Sequence, residues 1–271
     1  MSQPNNVTAI AVNPKQQALK QLLERAKPAM AGVATKHLTP DKLVRIALLA
    51  TSRTPKLLEC SPSSILLAVM QAASLGLEVG GVLGHGYLVP YGNEAQFIPG
   101  YRGLIDLARR GGHVLTIEAR VVRDDDEAFH YDLGLEPKLI HRPGAGNGEI
   151  THVYAIARLR DGVSQFEVMT RAEVDGIRKR SRAGSNGPWV SDYSEMARKT
   201  VVKRLAKYLP LSVELAAALE LDNRAETGEM GGTSDVIDIP TPDLGDVPET
   251  KSTRESIAEA AAKVRAERGE A

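Results

Sequence analysis

Lys199, Lys203 and Lys207 recur at helical spacing with Arg204 one step around, and the chain's one tryptophan, Trp189, precedes them together with Tyr193. Like charges stacked four residues apart on a helix repel by roughly 0.2–0.5 kcal/mol per pair, so the row invites an anionic partner. Its chemistry would be binding rather than bond-making: phosphates along the lysines, and an aromatic ring for a base to stack on. A solvated charged face, with Trp189 in the core, reads equally well from this helix alone. Ala197, Val201, Leu205 and Leu209 recur at the same interval and should face a core. Asn186-Gly187-Pro188 is a turn before this helix, expected over 194–208, and Pro210 closes it.

Other cations gather nearby. Arg102, in Pro99-Gly100-Tyr101-Arg102-Gly103, sits where a helix begins, so free backbone N–H groups and a guanidinium could share one phosphate. Arg109 and Arg110 end that helix, where they also suit its dipole. Arg178, Lys179, Arg180 and Arg182 run into the Gly-rich loop 183–188, whose glycines let backbone approach a ligand closely. Charge and aromatics together make nucleic acid the leading partner.

Catalytic chemistry finds little support. The phosphate cradle Gly-x-x-x-x-Gly-Lys-Ser/Thr is absent, and Gly80-Gly81 and Gly84-His85-Gly86 read as a tight turn entering a strand. Asp124-Asp125-Asp126-Glu127 is the one dense acid cluster; consecutive residues point apart, so a solvated hairpin tip fits better than the metal site of a nuclease. His37, His85, His113, His130, His141 and His152 show no ligand spacing. Cys60 has no base beside it and reads as a small buried residue.

The elements that must position these groups indicate an α+β fold. Helices are expected over 15–26, over 39–51 with Thr39 as cap and Pro40 in the first turn, and over 61–75 with Ile65, Leu66, Val69 and Ala73 buried. Strands over 85–91 and 94–98 join through Tyr91-Gly92-Asn93, and a helix over 100–110 follows. Runs at 114–123, 128–133, 138–142, 150–160 and 163–169 complete a central antiparallel meander around that helix. In 150–160, period two sets Val153, Ala155, Ala157 and Leu159 against His152, Tyr154, Ile156 and Arg158, one face core and the other partly cationic. Thr170 and Glu173 form a capping box for a helix over 170–182, and C-terminal basic helices follow.

The net charge of zero hides a division. After Leu221 the chain carries twelve acids against six bases, leaving that stretch at −6 and residues 1–221 at +6, and every aromatic lies between Tyr87 and Tyr208. An acidic, Gly- and Pro-rich stretch without aromatics does not fold alone. Three regions result: a partly flexible N-terminal arm and helix, 1–38; a binding and oligomerisation domain, 39–221; and a disordered acidic tail, 222–271, with a linker over 222–250 and a possible partner-docked helix over 252–268. That tail could recruit a partner or screen the cationic core. The chain lacks an 18-residue apolar run and a secretory signal, and its single cysteine precludes an internal disulfide, so a cytoplasmic protein without membrane contact is expected.

Six segments resemble the RecT family of phage single-strand DNA annealing proteins: LGLEVGGVLGHGYLVPYGN (75–93), FIPGYRGLIDLARRGG (97–112), ARVVRDDDEAFHYDLGLEPKLIHRP (119–143), THVYAIARLRDG (151–162), FEVMT (166–170) and NGPWVSDYSEMARKTVVKRLAKYLP (186–210). The likeness runs in order from about residue 40 to 215, with a hairpin at 91–96 more compact than in many relatives. It implies a non-enzymatic, ATP-independent recombinase that binds single-stranded DNA, anneals it into duplex and can promote strand exchange. It also implies a homo-oligomeric ring or filament, a phage exonuclease and host single-strand binding protein as partners, and no required cofactor, with magnesium at most modulating annealing. The DNA-binding set that follows is Tyr101, Arg102, Arg109, Arg120, Arg178, Arg182, Trp189, Lys199, Lys203, Arg204 and Lys207. Arg102, Arg178, Arg182, Lys199, Lys203, Arg204 and Lys207 would line a groove holding one strand by its backbone, with bases presented for pairing.

Overall fold

The computed structural model describes residues 13–185 and 187–228. The acidic stretch beyond 228, its expected helix at 252–268, the first twelve residues and Asn186 lie outside them. The described residues all fall within one compact unit.

The N-terminal third is helical. Helix α1 (Pro14–Arg25) is capped by Asn13, α2 (Lys27–Ala31) is a short continuation, and α3 (Pro40–Arg53) starts at Thr39, whose side chain accepts the Lys42 N–H. A 3-10 turn (Pro55–Glu59) leads to α4 (Pro62–Ser74), capped by Ser61, with Ile65, Leu66, Val69 and Ala73 buried as their spacing predicts. Strands β1 (Gly86–Tyr91) and β2 (Glu94–Pro99) pair antiparallel across Gly92-Asn93 and pack on α4.

Helix α5 (Tyr101–Arg110) docks against this hairpin through two close backbone approaches. A Cβ on Gly100 would lie 2.4 Å from the Gly84 carbonyl oxygen, and one on Gly103 would lie 2.2 Å from that of His85, so only glycine fits at either position. Arg110 closes the far end by donating to the Leu75 and Gly76 carbonyls at 3.0 Å each.

The remaining strands do not join into one meander. β3 (Val114–Arg123), β6 (Ile150–Leu159) and β7 (Ser164–Thr170) make an antiparallel sheet in the order β3-β6-β7, while β4 (Ala128–Asp132) and β5 (Lys138–Arg142) form a separate inserted hairpin. At the divergence lies the acid run, in which Asp124 and Glu127 are exposed as expected while the Asp126 side chain is buried and all three aspartates bind backbone. Asp124 accepts the Glu149 N–H, Asp125 that of Asn147 and Asp126 that of Gly144, each at 2.8 Å. Side chains thus replace ladder hydrogen bonds where the two chain segments diverge.

Asp126 also accepts from His141 Nε2 at 2.8 Å and from the Arg123 N–H at 2.7 Å, and His141 Nδ1 meets the Tyr154 hydroxyl at 3.1 Å. With a neutral ring, Nε2–H donates to Asp126 and Nδ1 accepts from Tyr154, so one imidazole ties β5 to β6. Phe129 of β4 stacks on Tyr154 at 5.9 Å and lies 5.3 Å from His152, which covers the start of the face expected to be partly cationic.

Helix α6 (Arg171–Arg180) begins with the expected Thr170–Glu173 capping box. After the short α7 (Pro188–Ser191), α8 (Tyr193–Ala206) packs on the three-stranded sheet and buries Ala197, Val201 and Leu205. The expected end of the folded part at Leu221 moves, because α9 (Val213–Thr227) runs through it and buries Leu215, Ala218, Asp222 and Ala225. These fall at intervals of three and four, a helical stripe that low aromatic content concealed.

Burial by itself would raise the Asp126 carboxyl, and its hydrogen bonds from Arg123, Gly144 and His141 overcome that and hold it below the ordinary carboxylate range. Asp126→Ala is expected to destabilise the chain by about 2–4 kcal/mol, measured by urea unfolding, and to speed amide exchange within β4 and β5 ahead of α8. Unchanged exchange in the hairpin would show that these bonds do not anchor it.

Candidate nucleic-acid interface

Two concavities flank α8. A cleft of about 860 Å³ lies between the β1–β2 hairpin, the start of α5, the α7–α8 segment and α9. A smaller groove of about 310 Å³ is bounded by α6, α8 and α9 and includes Arg180, Lys203, Arg204 and Lys207. The expected cations divide between these places and the interior instead of lining one open track.

Lys199 and Lys203 are interior. Asp222, fully buried on α9, receives Lys199 Nζ at 2.5 Å on one oxygen and has Lys203 Nζ 2.7 Å from the other; Lys203 also meets Glu226 at 2.8 Å. Burial alone would raise the Asp222 carboxyl, but the two ammonium groups outweigh it and hold it below the ordinary carboxylate range. Lys203 likewise stays above the usual lysine value because Asp222 and Glu226 overcome its own desolvation. Lys199 reaches the cleft only as part of its lining, with its amine already engaged. The two lysines therefore do not form a row open to phosphates, and reversing their charge would place acids against Asp222.

Arg204 is also committed, at 2.6 Å from Glu167 of β7 and 2.9 Å from Glu173 of α6. Arg178 donates from Nε to the Gly184 carbonyl at 2.7 Å, shaping the loop after α6, and its guanidinium lies 5.9 Å from the Tyr193 ring. Arg171 lies at the same distance from that ring, whose hydroxyl donates to Asp175 at 2.9 Å. Burial, reinforced by Asp175, pushes the Tyr193 hydroxyl up to about 12, so it stays protonated. Trp189 is 1 % exposed and packs 6.0 Å from Tyr193; it forms part of the cleft wall and anchors the α7–α8 corner instead of standing free.

The outward cations are fewer. Arg102 is exposed at the first turn of α5 beside Tyr101, on the cleft lining. Arg182 is exposed, with its guanidinium 5.0 Å over the Tyr91 ring and its backbone N–H donating to the Glu226 carbonyl, which ties the loop to α9. Arg109 and Lys207 are exposed, without a side-chain partner among the described residues. Arg120, on β3, faces Glu118 at 3.4 Å and does not line either concavity.

Residue spacing missed Tyr87, Tyr91, Asp222 and Glu226 as builders of this region. The hairpin tyrosines alternate with residues on the α4 side of β1, a period-two signal that was present, whereas the Asp222 contact is non-local and carries no short-range signal. Cys60 is buried, which pushes its thiol up and away from nucleophilic chemistry. Among the described residues no three His, Cys, Asp or Glu side chains are grouped as a metal site, and no helix is long and apolar enough to cross a membrane.

The description "RecT family" matches residues 41–237, a span that includes every described element from α3 onward except the first residue of that helix. The chain is 45 % identical over 228 residues to Protein RecT of Escherichia coli strain K12, covering 78 % of this chain and 84 % of that protein. It is 31 % identical over 182 residues to the uncharacterized protein YqaK of Bacillus subtilis strain 168, covering 65 % and 63 % respectively.

The Asp222 network has a direct test. Asp222→Ala would leave two buried ammonium groups short of their counter-ion and is expected to cost about 3–5 kcal/mol, measured by chemical unfolding. Because the native carboxyl is held low, its contribution is complete above the ordinary carboxylate value and is lost as pH falls from about 4 downward. In the variant that part of the acid sensitivity should vanish. A pH profile parallel to that of the unsubstituted chain would contradict this.

Proposed function

This chain belongs to the RecT family, and from that premise we propose that it anneals DNA by holding single strands on the exposed cations of α5, the end of α6, the loop after it and the end of α8. Single-strand annealing in homologous recombination is the activity of the family, and the match over residues 41–237 is the observation that carries it here. Arg102, Arg109, Arg182 and Lys207 supply exposed positive charge, with Lys179 and Arg180 beside them at the end of α6. Contacts of this kind go to phosphates and are indifferent to sequence, which an annealing protein requires.

The reaction asks no bond-making of the protein, so the chain acts as a binding protein and not an enzyme. ATP is not needed, in keeping with the missing phosphate cradle in the sequence. No cofactor is required, and magnesium modulates annealing by screening phosphates. The nuclease alternative is disfavoured because the carboxylates of Asp124, Asp125 and Asp126 are each occupied by a backbone N–H.

A strand longer than one protomer is coated by a homo-oligomeric ring or filament, working in the cytoplasm beside a phage exonuclease and host single-strand binding protein. Residues 229–271, whose sequence is acidic, screen the cationic surface or recruit one of these partners. Their removal must begin after α9, since a cut at Leu221 would delete Asp222.

The combined substitution Arg102→Ala and Lys207→Ala should leave the fold intact and flatten the plot of log affinity against log salt for single strands. The slope should fall by about 1.4 if each residue neutralises one phosphate. Annealing of labelled complementary strands without ATP should slow in step. Unchanged slope and annealing would remove these residues from the interface.

A further inference from the structure

The cleft is the wrong place for a phosphodiester backbone. Its lining holds four carboxylates, Asp192, Glu195, Asp222 and Glu226, against two cations, Arg102 and Lys199. Most of these charges are already paired, Asp222 with Lys199 and Lys203, Glu226 with Lys203, and Glu195 with Arg198, so no cation inside the cleft is free to take a phosphate. A phosphate carried inward would give up its water and find no free ammonium to replace it. The free positive charge sits at the start of α5, where Arg102 is exposed and no side chain caps the first-turn N–H groups.

The walls instead suit a flat, neutral, aromatic group. Tyr87, Tyr91, Tyr101 and Trp189 lie among Ile98 and Met196. Tyr87 is 52 % exposed, whereas Tyr91 already carries the Arg182 guanidinium on its ring. Trp189, 1 % exposed, has an indole Nε1–H with no hydrogen-bond partner among the described residues. Buried indole N–H groups usually find an acceptor. The volume of about 860 Å³ is ample for a nucleoside.

The geometry points to a nucleobase pocket: one base of the bound strand turns out of the stack into this cleft, packing on Tyr87, while its phosphate stays at the rim with Arg102. The inference rests on the single-strand-binding reading above and adds a base-occupied subsite to it. Within an annealing protein the captured base is withheld from pairing until it leaves, so the pocket sets a register of one withheld base per protomer. Any base fits, since stacking is available to each, and the lining carboxylates can accept from the exocyclic amine of adenine, cytosine or guanine or from the ring N3–H of thymine.

Trp189, the chain's only tryptophan, reports on the pocket directly. The full chain is titrated with an oligothymidylate and with an abasic sugar-phosphate strand of equal length, following both affinity and tryptophan emission. The oligothymidylate should change the emission and the abasic strand should not. Tyr87→Ala, at a half-exposed position, should weaken oligothymidylate binding about fivefold or more and leave abasic-strand affinity unchanged. Binding of both strands with no change in emission, or equal weakening of both by Tyr87→Ala, would overturn the pocket while leaving single-strand binding in place. Failure of the oligothymidylate to bind the unsubstituted chain would overturn single-strand binding and the pocket with it.

Discussion

One carboxylate organises the C-terminal half of this protein. Asp222 on α9 sits fully buried between Lys199 and Lys203 of α8, and among the described residues the two amines meet no other carboxylate except Glu226. Taking three charges out of water is unfavourable unless they meet at close range, so α9 is fixed in register on α8. The same contact sets the base of the cleft, because Lys199, Asp222, Ala225 and Glu226 all line it. It also divides the lysine row, turning Lys199 and Lys203 inward and leaving Lys207, just past the end of α8, outward.

That division relocates the exposed positive charge of a chain whose net charge is zero. Charge counting along the sequence places the positive excess on a helix, whereas the structure places it on loops and helix ends: Arg102 at the start of α5, Arg109 near its end, and Arg182 on the Tyr91 ring. The annealing chemistry of the RecT family needs a surface that grips phosphates loosely and in any sequence. Exposed arginines with few fixed partners meet that need better than lysines locked to a carboxylate.

Local physics was legible in the residues. Thr39, Ser61 and Thr170 cap the helices that their positions predict, the hairpin turns at Gly92-Asn93, and the stripes of α4 and α8 are buried as read. The same holds for the α+β class. What escaped was non-local. Whether β4 and β5 continue the neighbouring sheet depends on carboxylates of Asp124 to Asp126 gripping backbone eighteen to twenty-five residues away. Whether Lys199 faces solvent depends on a residue twenty-three positions later. Composition pointed the wrong way for α9, since an acidic stretch without aromatics reads as tail even where its acids neutralise a buried pair. Trp189 shows the same limit: its type suited stacking or packing, and only its burial against Tyr193 decided the matter.

The most direct measurement asks whether the inward lysines carry DNA at all. The triple substitution Lys199→Met, Lys203→Met and Asp222→Leu exchanges the buried ions for apolar groups of similar size, a change that interiors often tolerate. Single-strand affinity is then followed against salt concentration alongside the unsubstituted chain. The expected result is a folded protein whose slope of log affinity on log salt is unchanged. A slope smaller by about 0.7 for each lysine removed, in a protein that remains folded, would return Lys199 and Lys203 to the DNA and contradict it.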